Sequence, residues 1–162
     1  MMTEQTLLIV WHSRTGASRA MAAAAAKAGG AAVHLLAADT ATPADFLAAG
    51  GYLFVGPENL GALSGAMKEM LDRCYYPLLG RIEGRPYASI IAAGSAGQGA
   101  QAQLDRIATG WRLRRVAPPL IVNTAAQTPE EIAAPKHPAA QVLVQCAALG
   151  EALAEGLRAG IF

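Results

Sequence analysis

Three short stretches of this chain are rich in glycine, serine and threonine, and each follows directly on an apolar run. The first, Ser13-Arg14-Thr15-Gly16-Ala17-Ser18, leads into a helical pattern. Its backbone N–H groups and the positive end of the helix therefore converge on one point, where the hydroxyls of Ser13, Thr15 and Ser18 can add hydrogen bonds. Such a nest suits a phosphate monoester without needing a lysine. Gly16 removes a side chain where backbone must approach a ligand. The same residues equally describe the caps of an ordinary strand–helix turn. The stretch is not a Walker loop, because no Gly-Lys-Ser/Thr follows, and it lacks the three-glycine dinucleotide fingerprint. The second stretch runs from Gly56-Pro57-Glu58-Asn59-Leu60-Gly61 to Ser64-Gly65, and the third is Gly94-Ser95-Ala96-Gly97-Gln98-Gly99.

Other reactive side chains have simpler readings. His12 precedes the first loop and either approaches a ligand there or is a satisfied strand-end histidine. His34 and His137 have no partners at metal-ligand spacing. Cys74 and Cys146 form no C-x-x-C or zinc pattern and read as free thiols of a reducing compartment, with a disulfide as the alternative. Arg112, Arg114 and Arg115 either meet a ligand phosphate or follow the preference for basic residues at a helix C-terminus. Tyr75-Tyr76 divides between core packing and an active-site or oligomer contact. Lys68, Glu69, Asp72 and Arg73 are spaced as i,i+4 pairs on a helix surface. No triad and no carboxylate pair emerges.

The loops need strands and helices to hold them, and the chain alternates the two as a parallel α/β sheet does. Strands are expected at Thr6–Trp11, Ala32–Leu36, Gly51–Gly56, Tyr87–Ala93 and Pro118–Val122. Helices are expected at about Gly16–Ala28, Thr42–Ala49, Ser64–Tyr75 (with Pro77 as its exit), Gly99–Leu113 and Ala139–Leu157. A short helix is also expected after Thr128-Pro129-Glu130-Glu131, where threonine is N-cap, proline N1 and glutamate N3 of a capping box. The 162 residues suit one domain. Charged residues make up 15%, against about 25% in an average globular protein, which favours a homo-oligomer. The net charge of +1 recruits neither nucleic acid nor anionic membrane. The polar start Met1-Met2-Thr3-Glu4-Gln5 does not resemble a targeting segment, and no apolar run reaches the ~20 residues that span a bilayer.

Taken together, the three loops resemble those of the flavodoxin-like superfamily, and within it the NAD(P)H-dependent FMN reductases and NAD(P)H:quinone oxidoreductases. Ser13–Ser18 is similar to that family's FMN-phosphate motif. Pro57-Glu58 through Ser64-Gly65-x-Met67-Lys68-x-x-Leu71-Asp72 is similar to the reductases' proline–glutamate loop and the helix after it. Gly94–Gly99 stands where the family wraps the isoalloxazine edge. The resemblance implies a doubly wound five-stranded parallel sheet of order 2-1-3-4-5 with helices on both faces, forming one FMN-binding domain over residues 1–162. Ser13, Thr15, Gly16 and Ser18 would hold the phosphate, with Ala17 in the same loop and Arg14 either supporting the charge or extending into solvent. Pro57, Glu58, Asn59, Leu60 and Gly61 would lie along the ring, largely through backbone groups. Gly94, Ser95, Ala96 and Gly97 would form the third wall, with Ser95 and Gly97 at the pyrimidine end. Many of those reductases carry an aromatic residue two positions after the loop proline; here that position is Asn59, so ring stacking from it is not implied.

The implied activity is that of a cytoplasmic FMN-dependent NAD(P)H oxidoreductase, using NADH or NADPH as donor and a quinone, flavin or similar small molecule as acceptor. No catalytic side chain and no metal is implied, because the chemistry belongs to the flavin. A dimer or tetramer is expected, with no nucleic-acid partner and no membrane insertion. The alternatives are a one-electron flavodoxin-type carrier, against which the absence of a strongly acidic balance argues, and a cofactor-free interaction module.

Overall fold

Leu7–Trp11 is an unbroken apolar run, as a strand buried on both faces requires, and it forms β1, an interior strand of the sheet. The structure is a computed structural model that describes residues 5–162; the start Met1-Met2-Thr3-Glu4 lies outside the described residues. After β1 come α1 (Ala17–Gly29), β2 (Val33–Ala37), α2 (Pro43–Ala48), β3 (Gly51–Asn59) and β4 (Ala62–Leu63). Then follow α3 (Gly65–Leu78), β5 (Pro86–Ala93), α4 (Gln98–Gly110), β6 (Arg114–Arg115), β7 (Leu120–Asn123), α5 (Pro129–Ala133) and α6 (Ala140–Arg158).

The main sheet is parallel. β1 pairs with β2 on one side and β3 on the other, and β3 pairs with β5. Both β6 and β7 lie along β5, opposite its start and its end respectively. They are two pieces of one edge strand, so the order is that of a 2-1-3-4-5 sheet with its last strand interrupted. Pro118-Pro119 lies in the gap, where two residues without N–H cannot donate to a ladder.

Two further differences concern the site. β3 continues past Gly56 through Pro57 to Asn59 and turns back antiparallel as β4, pairing Glu58 with Leu63 and Asn59 with Ala62. The stretch expected as a loop is therefore a hairpin. Pro57 is tolerated because β1 stops pairing at Val55, so its missing N–H deprives no neighbour. Pro77 does not end α3 but sits in its last turn, one residue before the final Leu78. At the far end of α4, Gly110 closes the helix earlier than expected and Arg112 takes φ 62.

The sheet separates two cores. Leu8, Val10, Phe54 and Tyr52 face α2, α3 and α4, where Phe46, Met70, Leu104 and Trp111 fill the space. Leu7, Ile9, Leu53 and Ile90 face α1 and α6. The alanine run of α1 belongs to this second core: Ala17, Met21, Ala25 and Gly29 form a buried stripe at i,i+4 spacing. A Cβ on Gly150 of α6 would overlap the Ala25 backbone, so small residues let the two helices pack closely. Cys74 and Cys146 are free, buried and in opposite cores. Burial raises both thiols, Cys146 to about 11, which keeps them protonated and unreactive.

Candidate functional site

The chain leaves β1 to one side to build β2 and returns on the other side to build β3, so the carboxyl ends of β1 and β3 diverge into a crevice. A cavity of about 760 Å³ opens there, within the ordinary range for small-molecule sites. All three glycine-rich stretches contribute to its wall: Ser13, Arg14, Thr15, Ala17 and Ser18; Pro57, Glu58, Asn59, Leu60 and Gly61; Gly94 and Ser95. Gly16, Ala96 and Gly97 are not on the wall.

At one end is the N-terminus of α1. Gly16 takes φ 108, a left-handed conformation that glycine adopts without strain, and turns the chain from strand into helix. The Gly16 N–H donates to Ser13 Oγ at 3.0 Å, which leaves the Ser13 O–H free to donate. The first helical bond is from Ala20 N–H to Gly16 O, so the amides of Ala17, Ser18 and Arg19 precede it with no helical acceptor. No side chain caps them. Ser18 is only 1% exposed, and its Oγ finds no hydrogen-bond partner among the described residues. An unsatisfied buried hydroxyl costs about 1–3 kcal/mol, a cost that an acceptor arriving in the cavity would remove.

At the other end is the N-terminus of α4, built the same way on Gly97 at φ 95. Here two donors, the amides of Gly97 and Ala100, are occupied, while those of Gln98 and Gly99 have no partner among the described residues. Glu58 reaches across from β3, its Oε1 accepting from Gly97 N–H at 2.9 Å and its Oε2 from Ala100 N–H at 3.0 Å. Its carboxylate is thus a cap supplied from a distant strand, not a free acid or base. Beyond it, Leu60 and Gly61 form the two-residue hairpin turn, with φ 53 and 77. That turn requires left-handed residues, and holding leucine there costs about 1–2 kcal/mol. The Leu60 side chain gains no burial in return; it is fully exposed at the cavity rim.

The cavity has a fourth wall that the sequence reading missed. The connection after β7 contributes Thr124, Ala126, Gln127, Ile132, Ala133 and Lys136. It is tied to the third loop, where Asn123 Nδ2 donates to Ser95 O at 2.7 Å and Gln127 Nε2 to Gly94 O at 3.0 Å. It is tied to the first loop by Lys136 N–H donating to Thr15 O at 2.7 Å. The capping box at Thr128 and Glu131 was the legible signal for it, although nothing local shows which loop it reaches. None of the cavity-lining residues is aromatic.

The remaining candidates lie elsewhere. His12 is not on the wall; its Nδ1 is 2.8 Å from Ser64 Oγ, and that hydroxyl also accepts from Met67 N–H as the N-cap of α3. Burial and then Arg14 lower its pKa, partly opposed by Asp39. Arg115 pairs with Asp105, which also accepts from Tyr87 Oη; with burial first and Asp105 second, the Tyr87 hydroxyl is raised and stays protonated. Tyr75 stacks on Trp111 while Tyr76 is exposed. The two i,i+4 pairs, Lys68–Asp72 and Glu69–Arg73, are formed. No group of residues suited to a metal ion occurs among the described residues, and no helix there is long and apolar enough to cross a membrane.

The fold is shared with known structures. A flavodoxin from the domain Archaea superposes with TM-score 0.77 at 16% identity, covering 94% of this chain and 99% of that one. A flavodoxin, WrbA-like protein from Agrobacterium tumefaciens gives 0.76 at 17%, covering 94% and 97%. An NADPH-quinone reductase from P. pentosaceus gives 0.65 at 14%, covering 90% and 97%. At these identities the likeness establishes a flavodoxin-like fold. No curated protein sequence matches. A family model, however, matches residues 37–128, a span that holds the proline–glutamate hairpin and the third loop but neither Ser13–Ser18 nor Lys136. By that match over more than half its length, the chain belongs to the NADPH-dependent FMN reductase family.

Proposed function

We propose that this chain is an FMN-dependent oxidoreductase that takes electrons from NADH or NADPH and passes them to a quinone, a flavin or a similar small acceptor. The observation that carries this reading is the open N-terminus of α1 beside the cavity, with Ser18 Oγ buried and unpartnered. The donor set fits a phosphate monoester: three free amides, three hydroxyls and a helix end of positive potential. Ser13, Thr15, Gly16 and Ser18 hold the phosphate, with Arg14 near it. Pro57 to Gly61 and Gly94 to Gly97 hold the ring, chiefly through backbone groups.

Bound FMN supplies the hydride and electron chemistry. The protein's share is to bind, orient and partly desolvate. Glu58 fixes the hairpin against α4, so the two walls of the ring end keep their spacing. Asn59 offers no stacking surface, and no aromatic residue on the wall replaces it. The flavin is therefore held mainly by its phosphate end, affinity is modest, and one ring face stays accessible to donor and acceptor. The net charge of +1 supports an enzyme of small molecules over a carrier that docks by acidic surface. The low charge content supports a homo-oligomer, and the absence of apolar spans is compatible with a cytoplasmic site of action.

Anaerobic titration of the FMN-loaded protein tests the reading. NADH or NADPH should bleach the flavin absorbance by two electrons, and a quinone should restore it. If neither nicotinamide reduces the bound flavin on prolonged mixing, the enzyme reading fails and the carrier reading takes its place. If the protein takes up no flavin, only the interaction module remains.

A further inference from the structure

The phosphate loop, taken alone, needs no lysine, and the family match ends before Lys136. Lys136 nevertheless lies on the cavity wall with Ser13, Thr15 and Ser18. Its position is fixed twice. Its N–H donates to Thr15 O at 2.7 Å, and a Cβ at Gly16 would come within 3.4 Å of its carbonyl oxygen. Its ammonium donates to Ile132 O at 3.0 Å and Ala134 O at 2.6 Å. An ammonium has three protons, so one is left after both bonds. Lys136 forms no ion pair among the described residues. The one acidic residue among those lining the cavity, Glu58, has both oxygens engaged at the start of α4. The wall thus carries two cations, Arg14 and Lys136, against one carboxylate already spoken for. Arg14 is exposed and free of ion pairs among the described residues, whereas the Lys136 ammonium is held in place by its two carbonyl bonds.

We propose that Lys136 is a phosphate-recognising residue, delivered to the α1 nest by the connection after β7, and that it makes the site selective for a flavin carrying a phosphate monoester dianion. This rests on the reading of the cavity as an FMN site. Its consequence is a dependence on ionic strength that a nest of amides and hydroxyls alone would show only weakly.

The test compares FMN, riboflavin and inorganic phosphate on the native protein, Lys136→Gln and Lys136→Arg. Dissociation constants come from flavin fluorescence quenching, and phosphate binding from the rise in melting temperature. Lys136→Gln should weaken FMN about tenfold, the loss of one charge-assisted hydrogen bond, with riboflavin affinity unchanged. It should also flatten the salt dependence of FMN binding and abolish the phosphate-induced rise in melting temperature. Lys136→Arg should restore most of the FMN affinity. Unchanged FMN affinity in Lys136→Gln overturns the proposal while leaving the FMN site intact. An equal loss for FMN and riboflavin also overturns it, because Lys136 would then act only by anchoring the connection. If the native protein binds neither flavin, the proposed function fails. A phosphate effect that Lys136→Gln removes would still support Lys136 as an anion ligand, and its absence would overturn that too.

Discussion

The N-termini of α1 and α4 are built alike and finished differently. Each follows a central strand, each turns on a left-handed glycine (Gly16 at φ 108, Gly97 at φ 95), and neither has a capping side chain of its own. At α4 the Glu58 carboxylate takes up the amides of Gly97 and Ala100 and leaves an anion in place at the helix end. At α1 the amides of Ala17 to Arg19 and the Ser18 hydroxyl are left open. Two helix ends with the same backbone and the same dipole thus differ: one holds a structural anion supplied by the chain, and the other, in the proposed function, receives an external one. A glycine turn before a helix does not by itself mark an anion site; what the rest of the chain puts there decides.

The largest effect should come from making α1 resemble α4. Ser13→Asp places a carboxylate where the Ser13 hydroxyl now accepts from Gly16 N–H. It should weaken FMN by roughly 100-fold through like-charge repulsion with the phosphate, with melting temperature unchanged or raised. Binding is read by fluorescence quenching, stability by thermal melting.

The converse change opens α4. Glu58→Ala strands two amides and frees the hairpin from α4, and should cost about 1–3 kcal/mol in a denaturant titration. FMN affinity should fall less than in Ser13→Asp, because the phosphate end is untouched. A smaller effect of opposite sign is expected at the turn. Leu60→Asn relieves a left-handed leucine that has no buried contact to lose, and should stabilise the protein by up to ~1 kcal/mol. If Leu60 serves the ring face, turnover should fall as stability rises.

The smallest effect concerns His12. Burial and Arg14 depress its folded pKa below the ordinary value of about 6.5, so the unfolded chain binds its proton first as pH falls. The stability this neutral histidine contributes is present above pH ~6.5 and is lost as pH drops through the folded pKa. His12→Gln should therefore reduce the decline in melting temperature between pH 7 and pH 5.

What was legible in the sequence was local. The capping box of Thr128 with Glu131 is formed residue for residue, and Pro43 opens α2 after its N-cap Thr42, because all the atoms concerned lie within one turn. The strand–glycine–helix turn at Gly16 and the i,i+4 pairs of α3 were readable for the same reason. The hairpin at Asn59 to Ala62 was not, because its turn uses leucine where asparagine or glycine would have signalled it, and Pro57 reads as a strand breaker. Nor could spacing reveal that Glu58 caps α4, or that the connection after β7 brings Lys136 to Thr15. Those contacts follow from tertiary closure around the crevice.

The most direct measurement is the ratio of riboflavin to FMN dissociation constants on the native protein, taken at low ionic strength by fluorescence quenching. The two ligands share the ring and differ in the phosphate, so the ratio isolates the open end of α1. With several charge-assisted hydrogen bonds at that end, each worth about 1.5–3 kcal/mol, FMN should bind at least ~100-fold tighter than riboflavin. A ratio near one would mean that no phosphate sits at Ser13 to Ser18, and would contradict the assignment.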